Sequence, residues 1–347
     1  MKDGTPTICV FAPNLMATVT IESGPRGDEV HLHAGGQGYW VARAIRAMGE
    51  NPVLCAPVGG EAGAVLRVLV EAAGVELAEV TVRSDSPAYV HDRRHGERLE
   101  LATAEAVGMS RHELDELYGV TFARAMASGL AVITGTAAGW GLPQHFLRRL
   151  GSDLGSTGVA TIADLHGADL RSVLDGGSIG LLKVSDEDLA EDEDLAEDGG
   201  EVGGKGEPVP CDEQAILDAV LRLSHSGAAD VVVSRASGAT IGYLDGRFYR
   251  TTGPKLDAMD HRGSGDTMTA ALAVARFRGE SPAETLRMAA AAGAANVTRH
   301  GLGAPDVELI GELMRLTETG PISGDPGPTP DRAGAGRRSD DPDDTYV

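Results

Sequence analysis

The chain has 347 residues, of which 42% are hydrophobic, so it is long enough to bury a substantial core. Its formal net charge of −22 argues against nucleic acid and anionic membranes as partners, because like charges repel. Cys9, Cys55 and Cys211 are widely spaced, and neither a signal peptide nor a long apolar run is visible, which predicts a cytoplasmic protein without disulfides or a zinc site.

Strand and helix patterns alternate in the first half of the chain. Short apolar or alternating runs predict strands at 7–11, 17–22, 29–33 and 52–58, and a hairpin formed by 88–92 and 98–102. Helical spacing predicts helices at 39–48 and 62–73, each followed by a glycine that can end a helix. The alternating strands and the hairpin do not suit a buried parallel sheet, so we expect a small β-sheet lid from about 17–36 and 87–102.

Buried strands recur in the second half, with helical stretches between them. Apolar runs predict strands at 131–134, 160–163, 180–184 and 231–234, and an alanine-rich run predicts a helix over 270–277. Strands spaced by helices predict an α/β fold, a mainly parallel sheet with helices on both faces.

Two segments are expected to lie outside this core. Residues 186–201 are rich in Asp and Glu and run into a glycine-rich stretch, which predicts an acidic mobile insertion over about 186–210. A calcium site is an alternative, although the acids lack the spacing of a known calcium loop. Residues 319–347 are rich in Pro, Gly, Asp and Arg, and predict a disordered tail after a single domain over 1–318.

The most informative segment is the run Asp-His-Arg-Gly-Ser-Gly-Asp at 260–266, just before the alanine-rich helix. Glycines let main-chain N–H groups turn inward, and the helix presents its positive end, so Gly263, Ser264 and Gly265 predict an anion pocket. A carboxylate beside a bound phosphate needs a chemical reason, and Asp266 would be a base that removes a proton from an alcohol. The alternative is that Asp266 merely caps the helix.

This run resembles the C-terminal signature of the ribokinase-like (PfkB) sugar kinase family, whose pattern is Asp-Thr-x-Gly-Ala-Gly-Asp. The matching positions are Asp260, Gly263, Gly265 and Asp266, while His261 and Ser264 replace a threonine and an alanine. The segment 34–49, which begins Ala-Gly-Gly-Gln-Gly, resembles the family's N-terminal signature, especially in the 1-phosphofructokinase-like branch. The resemblance covers about residues 8–315 and implies a ribokinase-like fold with a lid over the sugar site, ATP as co-substrate and Mg²⁺ as cofactor.

The resemblance also implies a nucleotide site. Residues 183–188 resemble a Lys-x-Asn-x-x-Glu segment, with Ser185 for the asparagine and Asp188 for the glutamate, so Asp188 would hold Mg²⁺ through water. Residues 231–239 resemble a segment that lies beside the adenosine in this family. Residues 291–298 resemble the helix that lies next to the adenine, and the alternative for them is a plain core helix. The residues that would contact ATP on these grounds are Lys183, Ser185, Ser234, Ser237, Gly238, Arg262 and Asn296. Arg262 could equally lie on the surface.

The acceptor site departs from the resembling branch. Thr18 replaces an acid that holds a sugar hydroxyl in that branch, and Trp40 replaces a sugar-binding asparagine. Gln37 replaces a lysine, and no arginine occupies the matching place near Tyr89. Positive charge for an acceptor phosphate is therefore lost twice, whereas aromatic rings that could stack on a ligand have appeared. We expect an uncharged sugar or polyol, bound by Asn14, Thr18, Gly35, Gly36, Gln37, Trp40 and Tyr89. The alternative for Trp40 is packing of its helix against the sheet.

These features predict a kinase that moves the γ-phosphate of ATP to a hydroxyl of a small sugar or polyol, with Asp266 as base and the 263–266 main chain as anion hole. The alternative is a non-catalytic nucleotide- or metabolite-binding regulatory protein with a degenerate acceptor site. A dehydrogenase is disfavoured because no Gly-x-Gly-x-x-Gly follows the first strand.

Three further features of the sequence each suggest a separate hypothesis. His31, His33 and His91 fall in the predicted lid, where we expect no metal. Asp164 follows an apolar strand and would help to place Mg²⁺ or the acceptor, or cap the next helix. A homodimer could form through the lid sheet.

Overall fold

The computed structural model of the protein describes residues 6–322 apart from 97, 137–139, 141, 178, 192–211, 237, 255, 257–262 and 299–304. The helices in this part are α1 (Gln37–Ala47), α2 (Gly60–Ala72), α3 (Arg111–Ser128), α4 (Gln144–Ser156), α5 (Gly167–Leu174), α6 (Asp186–Glu191), α7 (Glu213–His225), α8 (Ser264–Arg278), α9 (Pro282–Val297) and α10 (Val307–Leu316). The strands are β1 (Ile8–Phe11), β2 (Met16–Gly24), β3 (Gly27–Gly35), β4 (Pro52–Val58), β5 (Glu76–Thr81), β6 (Ala88–Asp92), β7 (Leu99–Ala104), β8 (Leu130–Thr134), β9 (Ala160–Asp164), β10 (Ile179–Ser185), β11 (Ala228–Ser234), β12 (Thr240–Leu244), β13 (Arg247–Thr252) and β14 (Glu318–Pro321).

Ten of the described strands form one large sheet, in the order β14-β13-β12-β11-β10-β9-β8-β1-β4-β5. The strands from β11 to β5 are parallel to one another, whereas β12, β13 and β14 extend one edge in antiparallel pairing. Parallel strands place all their carboxyl ends at the same edge of the sheet. In open α/β sheets this is the edge where ligands bind.

Each face of the large sheet buries its own hydrophobic core. Along β1, Ile8 and Val10 belong to one core, and Cys9 and Phe11 to the other, because successive side chains of a strand point to opposite faces. The first core is closed by α1, α2, α8, α9 and α10, and the second by α3, α4, α5 and α7. Strands buried on both faces are continuously apolar, which is why the sequence shows them as short apolar runs.

Helix α8 lies deep in the first core, between α1 and α9. Residues 270–275 have no exposed surface, and most of them are alanines, whose small side chains let neighbouring elements approach closely. The buried helix body fixes the position of its first turn, which begins at Ser264 on the carboxyl edge of the sheet.

A separate small sheet has the strand order β3-β2-β6-β7. Strands β2 and β3 form an antiparallel hairpin, β6 lies parallel to β2, and β7 is antiparallel to β6. The predicted fold class is therefore confirmed: a mainly parallel sheet covered on both faces, together with a small sheet from the two predicted regions. Within the described ranges, no helix has the length and apolar character needed to cross a bilayer.

Two boundaries differ from the sequence-based expectations. The predicted tail begins at 319, whereas Glu318–Pro321 forms the edge strand β14, because β13 offers main-chain partners to it. The predicted acidic insertion begins at 186, whereas Asp186–Glu191 forms α6, with Leu189 buried. The remainder of both predicted segments lies outside the described residues, apart from Ile322.

Candidate active site

Polar side chains collect where the parallel strands end. The residues at or just after these ends are Asn14 after β1, Thr136 after β8, Asp164 in β9, Lys183 and Ser185 in β10, and Ser234 in β11. The first turn of α8 reaches the same edge, because a Cβ atom placed on Gly265 would lie 2.9 Å from Nζ of Lys183. The structure therefore brings the predicted catalytic segment next to the predicted nucleotide segment.

The first turn of α8 carries main-chain donors that have no acceptor among the described residues. Gly263 precedes the helix with a φ of 75°, a left-handed conformation that favours glycine. Within the described part of the chain, the N–H groups of Ser264, Gly265 and Asp266 have no acceptor, whereas the N–H of Thr267 donates to the carbonyl of Gly263 at 2.9 Å. No N–H group of the described residues donates to the Asp266 side chain, so the part of the chain that the structure describes gives no support to the alternative in which Asp266 caps the helix. Free donors at the positive end of a helix can hold an anion.

Asp266 carries its carboxyl group into surroundings that disfavour its charge. The residue is half-buried. Burial raises the pKa of Asp266 to about 7, the neighbouring Asp164 carboxylate acts in the same direction, and the Lys183 ammonium opposes them. A carboxyl group that exchanges its proton near neutral pH suits the role of a general base.

Lys183 is a buried cation held between carboxylates. Its Nζ lies 3.2 Å from Oδ1 of Asp164, and the Thr269 hydroxyl donates to Oδ2 of Asp164 at 2.5 Å. Burial alone would lower the pKa of Lys183, but Asp164 and Asp266 raise it above its ordinary value, so the ammonium stays charged. A side chain at position 265 would place its Cβ 2.9 Å from this ammonium group and would force the lysine to shift. The result is a buried ammonium group, paired with Asp164, beside the first turn of α8.

Gln37 bridges the ends of two neighbouring strands. Its Oε1 accepts the N–H of Gly135 at 2.9 Å, and its Nε2 donates to the carbonyl of Asp164 at 3.3 Å. The side chain predicted to contact the acceptor thus already has main-chain partners on both sides, and it contributes no charge to the site.

Thr136 and Asp169 form a pair that the sequence analysis missed. The N–H and the hydroxyl of Thr136 both donate to Oδ2 of Asp169, at 2.8 and 2.7 Å. Asp169 lies in the first turn of α5, half-buried. The available signal was a threonine two positions after the buried strand β8, but its partner lies 33 positions further along the chain.

The N-terminal glycine segment packs against the residues that follow β1. Gly36 has a φ of 96°, and a Cβ there would lie 1.8 Å from the carbonyl oxygen of Asn14, so only glycine fits. A Cβ on Gly35 would lie 2.6 Å from the hydroxyl of Thr18. The structure therefore brings these four predicted acceptor residues together. The buried Oδ1 of Asn14 accepts no hydrogen bond from the described residues, which favours a ligand that can donate one.

Trp40 packs inside the protein. It is 9% exposed, and its ring contacts Tyr39 and His33, with centroid distances of 5.2 and 5.7 Å. The guanidinium of Arg43 lies 5.4 Å from the ring centroid. These contacts favour the packing interpretation of Trp40 over stacking on an acceptor.

Tyr89 remains more accessible than Trp40. It is half-buried on β6, where Thr18 of β2 is its partner in the sheet, so the two side chains lie on the same face. The ring contacts His91 with a centroid distance of 5.2 Å, and the Arg98 guanidinium lies 4.4 Å from its centroid. Tyr89 and Thr18, which were both predicted to bind the acceptor, thus lie next to each other on the small sheet.

Two histidines share one hydroxyl group in the small sheet. The Thr20 hydroxyl lies 3.1 Å from Nε2 of His33 and 3.1 Å from Nε2 of His91. Nδ1 of His33 donates to the carbonyl of Ala34 at 3.0 Å, which assigns Nε2 as the acceptor of the Thr20 proton. These bonds tie β2, β3 and β6 together. In the described residues, no group of three or more His, Cys, Asp or Glu side chains is arranged to hold a metal ion.

The predicted metal residue Asp188 takes part in a helix cap. The N–H and hydroxyl of Ser185 donate to Oδ2 of Asp188 at 2.9 and 2.6 Å, and the N–H of Asp188 donates back to the Ser185 hydroxyl at 3.0 Å. This reciprocal arrangement is a capping box at the start of α6. It occupies Oδ2 of Asp188, while Oδ1 has no hydrogen-bond partner among the described residues.

The other predicted nucleotide residues lie along the same edge or beside α8. Ser234 is the partner of Ser185 in the sheet and donates to the carbonyl of Val184 at 3.3 Å. Gly238 lies against Arg235, because a Cβ there would be 2.8 Å from its guanidinium. Asn296 is buried in α9, where its Oδ1 accepts from the Thr267 hydroxyl at 3.4 Å. Four residues from the sequence-based site fall outside the described residues: Ser237, Asp260, His261 and Arg262.

Comparisons with known proteins agree on one family. A family model described as "pfkB family carbohydrate kinase" matches residues 202–309. ATP-dependent 6-phosphofructokinase isozyme 2 of Mycobacterium tuberculosis is 28% identical over 296 residues, which are 82% of this chain and 81% of that protein.

Solved structures share the fold. Phosphofructokinase-2 from Escherichia coli in complex with potassium has a TM-score of 0.77 at 21% identity, over 90% of this chain and 99% of that chain. Arabidopsis thaliana ribokinase complexed with ribose and ATP has a TM-score of 0.66 at 21% identity, over 90% of this chain and 99% of that chain. The family model, the relative that spans most of the chain and the common architecture agree with both glycine signatures. The chain is therefore similar to the ribokinase-like (PfkB) carbohydrate kinases in sequence and shares their fold.

Proposed function

We propose that the protein transfers the γ-phosphate of ATP to a hydroxyl group of a small sugar or related polyol. The observation that carries this proposal is the arrangement at the start of α8. There the N–H groups of 264–266, which have no acceptor among the described residues, adjoin the charged Lys183 and the Asp266 carboxyl, whose pKa is raised to about 7. ATP as the co-substrate is supported by the carbohydrate kinase family and by the ribokinase neighbour, which is described as a complex with ribose and ATP.

Asp266 is the general base in this proposal. Its carboxylate takes the proton of the acceptor hydroxyl while the hydroxyl oxygen forms a bond to the γ-phosphorus. The bond between that phosphorus and the β,γ-bridging oxygen breaks, and ADP leaves with the electron pair. The N–H groups of Ser264, Gly265 and Asp266 hold the phosphoryl oxygens as their charge redistributes, and Lys183 adds positive charge nearby.

Mg²⁺ fits these residues as an ion carried mainly by the ATP phosphates. Such an ion needs only one or two carboxylates, and it keeps several waters. The remaining oxygen of Asp188, Oδ1, would hold it through water, on the same edge as Lys183. When bound, the ion would neutralise part of the charge of the ATP phosphates.

The acceptor is proposed to lie between the large sheet and the small sheet. Asn14, Thr18 and Tyr89 would contact it, with the buried Oδ1 of Asn14 as an acceptor for a sugar hydroxyl. The small sheet would act as a lid that excludes water, because a wet site would hydrolyse ATP instead of transferring its phosphate.

We also propose that two copies associate through the outer face of the small sheet. Leu32 and Val30 of β3 are 50% and 67% exposed, and Leu99 of β7 is 62% exposed. Leu32 and Val30 pair with Val19 and Ile21 of β2, so these four apolar side chains form a continuous patch on one face. A solvent-facing apolar patch on a sheet is typical of a protein interface, and a second copy provides a matching one.

The proposed function is tested by a panel of free sugars, polyols and nucleosides, each with ATP and Mg²⁺, in an assay of ADP release. We expect at least one member to raise ADP release above the hydrolysis seen without acceptor, and mass spectrometry to detect that member as its monophosphate. If ATP binds but no member of the panel raises ADP release, the result would contradict phosphotransfer and support the regulatory alternative.

A further inference from the structure

We propose that Asp169 makes the acceptor site selective against acceptors that carry a phosphate group of their own. This inference rests on the proposed function and names its substrate class: a free sugar or polyol rather than a sugar phosphate. The residue is a specificity determinant, and it has no part in the proton transfer assigned to Asp266.

The first step is the pair of donors on Thr136. A main-chain N–H and a hydroxyl on one residue, both pointing to one place, form a natural site for an anionic oxygen. In this chain Oδ2 of Asp169 occupies that place, at 2.8 Å from the nitrogen and 2.7 Å from the hydroxyl oxygen. The donors are therefore taken by a carboxylate that belongs to the protein.

The second step is the position of this pair. Gly135 lies between Gln37 and Asp169. A Cβ atom placed on Gly135 would be 3.5 Å from Oε1 of Gln37 and 3.9 Å from Oδ2 of Asp169. Gln37 in turn binds the carbonyl of Asp164, whose carboxylate pairs with Lys183 beside the first turn of α8. Asp169 thus belongs to the same edge as the proposed base, on the side of the acceptor residues.

The third step is the charge on this side of the site. Gln37 is neutral, and the positive charge of Lys183 is balanced by Asp164. Two effects oppose the binding of an acceptor phosphate near Thr136. The two donors of Thr136 are already bonded to Asp169, and the negative charge of Asp169 repels the phosphate. An uncharged sugar loses nothing, because a hydroxyl group can donate to a free lone pair of this carboxylate.

Arg98 on the small sheet is the main competing anchor for a phosphate. Its guanidinium lies over Tyr89, 4.4 Å from the ring centroid, and the described residues give it no carboxylate partner. If Arg98 held an acceptor phosphate there, the wild-type protein would prefer sugar phosphates, and Arg98→Ala would abolish that preference.

The test does not require a known acceptor. Binding of inorganic phosphate is measured by calorimetry on protein saturated with a non-hydrolysable ATP analogue and Mg²⁺, which fill the pocket at α8. We expect Asp169→Ala to bind phosphate about tenfold or more tightly than the wild type, because it frees two donors and removes a charge. Asp169→Asn keeps an oxygen acceptor for Thr136, so its affinity for phosphate should rise less. Asp175→Ala removes an exposed carboxylate from the other end of α5, and its affinity for phosphate should equal that of the wild type.

The same variants are then compared in the ADP-release assay with two matched pairs, fructose with fructose 6-phosphate and ribose with ribose 5-phosphate. The ratio of kcat/KM for the phosphate over that for the free sugar should rise in Asp169→Ala, whereas a merely structural role would lower both values together. Equal phosphate affinity in the wild type and both Asp169 variants would overturn the inference, as would a wild-type preference for either sugar phosphate. If no acceptor is turned over at all, the proposed function fails, and the phosphate-binding result still decides the role of Asp169.

Discussion

A carboxylate in the first turn of a helix is normally stabilised, because the positive end of the helix dipole favours negative charge there. Asp266 departs from this rule, because burial and the Asp164 carboxylate outweigh the helix and raise its pKa to about 7. The run around Asp266 was sufficient to propose both the acid and its donors, because that information is local. Asp169 could not be predicted, because its role depends on a contact with Thr136 that only the folded chain creates.

The raised pKa of Asp266 makes a prediction for stability. The folded state holds this proton up to about pH 7, whereas an unfolded Asp loses it near pH 4, so the stability that the proton contributes is lost as pH rises between these values. We expect Asp266→Asn to match the wild type near pH 3.5 and to exceed its free energy of unfolding at pH 8, by up to about 4 kcal/mol at about 1.4 kcal/mol per pKa unit.

Urea denaturation across this pH range measures the difference, with Asp175→Asn as a control that removes an exposed carboxylate. A difference between Asp266→Asn and the wild type that does not change with pH would show that the Asp266 carboxyl ionises normally.

At the scale of elements, helix α8 shows what local patterns can and cannot reveal. The sequence predicts a helix over 270–277, whereas the helix already begins at Ser264, because glycine and aspartate in its first turn have low helix propensity. Packing overrides that propensity, and the Ser264 hydroxyl donates to the carbonyl of Gly293 in α9 at 3.1 Å. Strand β14 was missed for a similar reason, since Glu-Thr-Gly-Pro is a poor strand sequence that pairs only because β13 is beside it.

The small sheet carries the prediction about assembly. Leu32→Lys combined with Leu99→Lys places two charges on the exposed apolar face, and a buried unpaired charge strongly disfavours an interface. We expect light scattering coupled to size exclusion to show a dimer or larger assembly for the wild type and a monomer for the double variant. Leu316→Lys, at an equally exposed position at the end of α10, should assemble like the wild type. A wild-type protein that is monomeric at the concentrations of the cell would rule out the proposed dimer.

At the scale of the whole molecule, alternating strand and helix patterns were sufficient to predict the parallel sheet, because each buried strand is apolar on both faces. Parallel strands then bring residues as distant as Asn14 and Ser234 to one edge, and α8 adds its donors there. The sequence could not show how the acceptor side is closed, because Gln37, Thr136 and Asp169 meet only through the fold. These three side chains bring no positive charge to the acceptor side, because Gln37 and Thr136 are neutral and Asp169 is a carboxylate.

The most direct test of the central claim is the turnover of Asp266→Asn, measured as acceptor-dependent ADP release at saturating ATP. ATP affinity, measured separately by calorimetry, should stay close to that of the wild type, because the main-chain donors of 264–266 are unchanged. Turnover should fall by about a hundredfold or more, in line with the loss of a general base. If Asp266→Asn turned over its acceptor at nearly the wild-type rate, the carboxylate at the start of α8 would not be the base, and the proposed mechanism would be wrong.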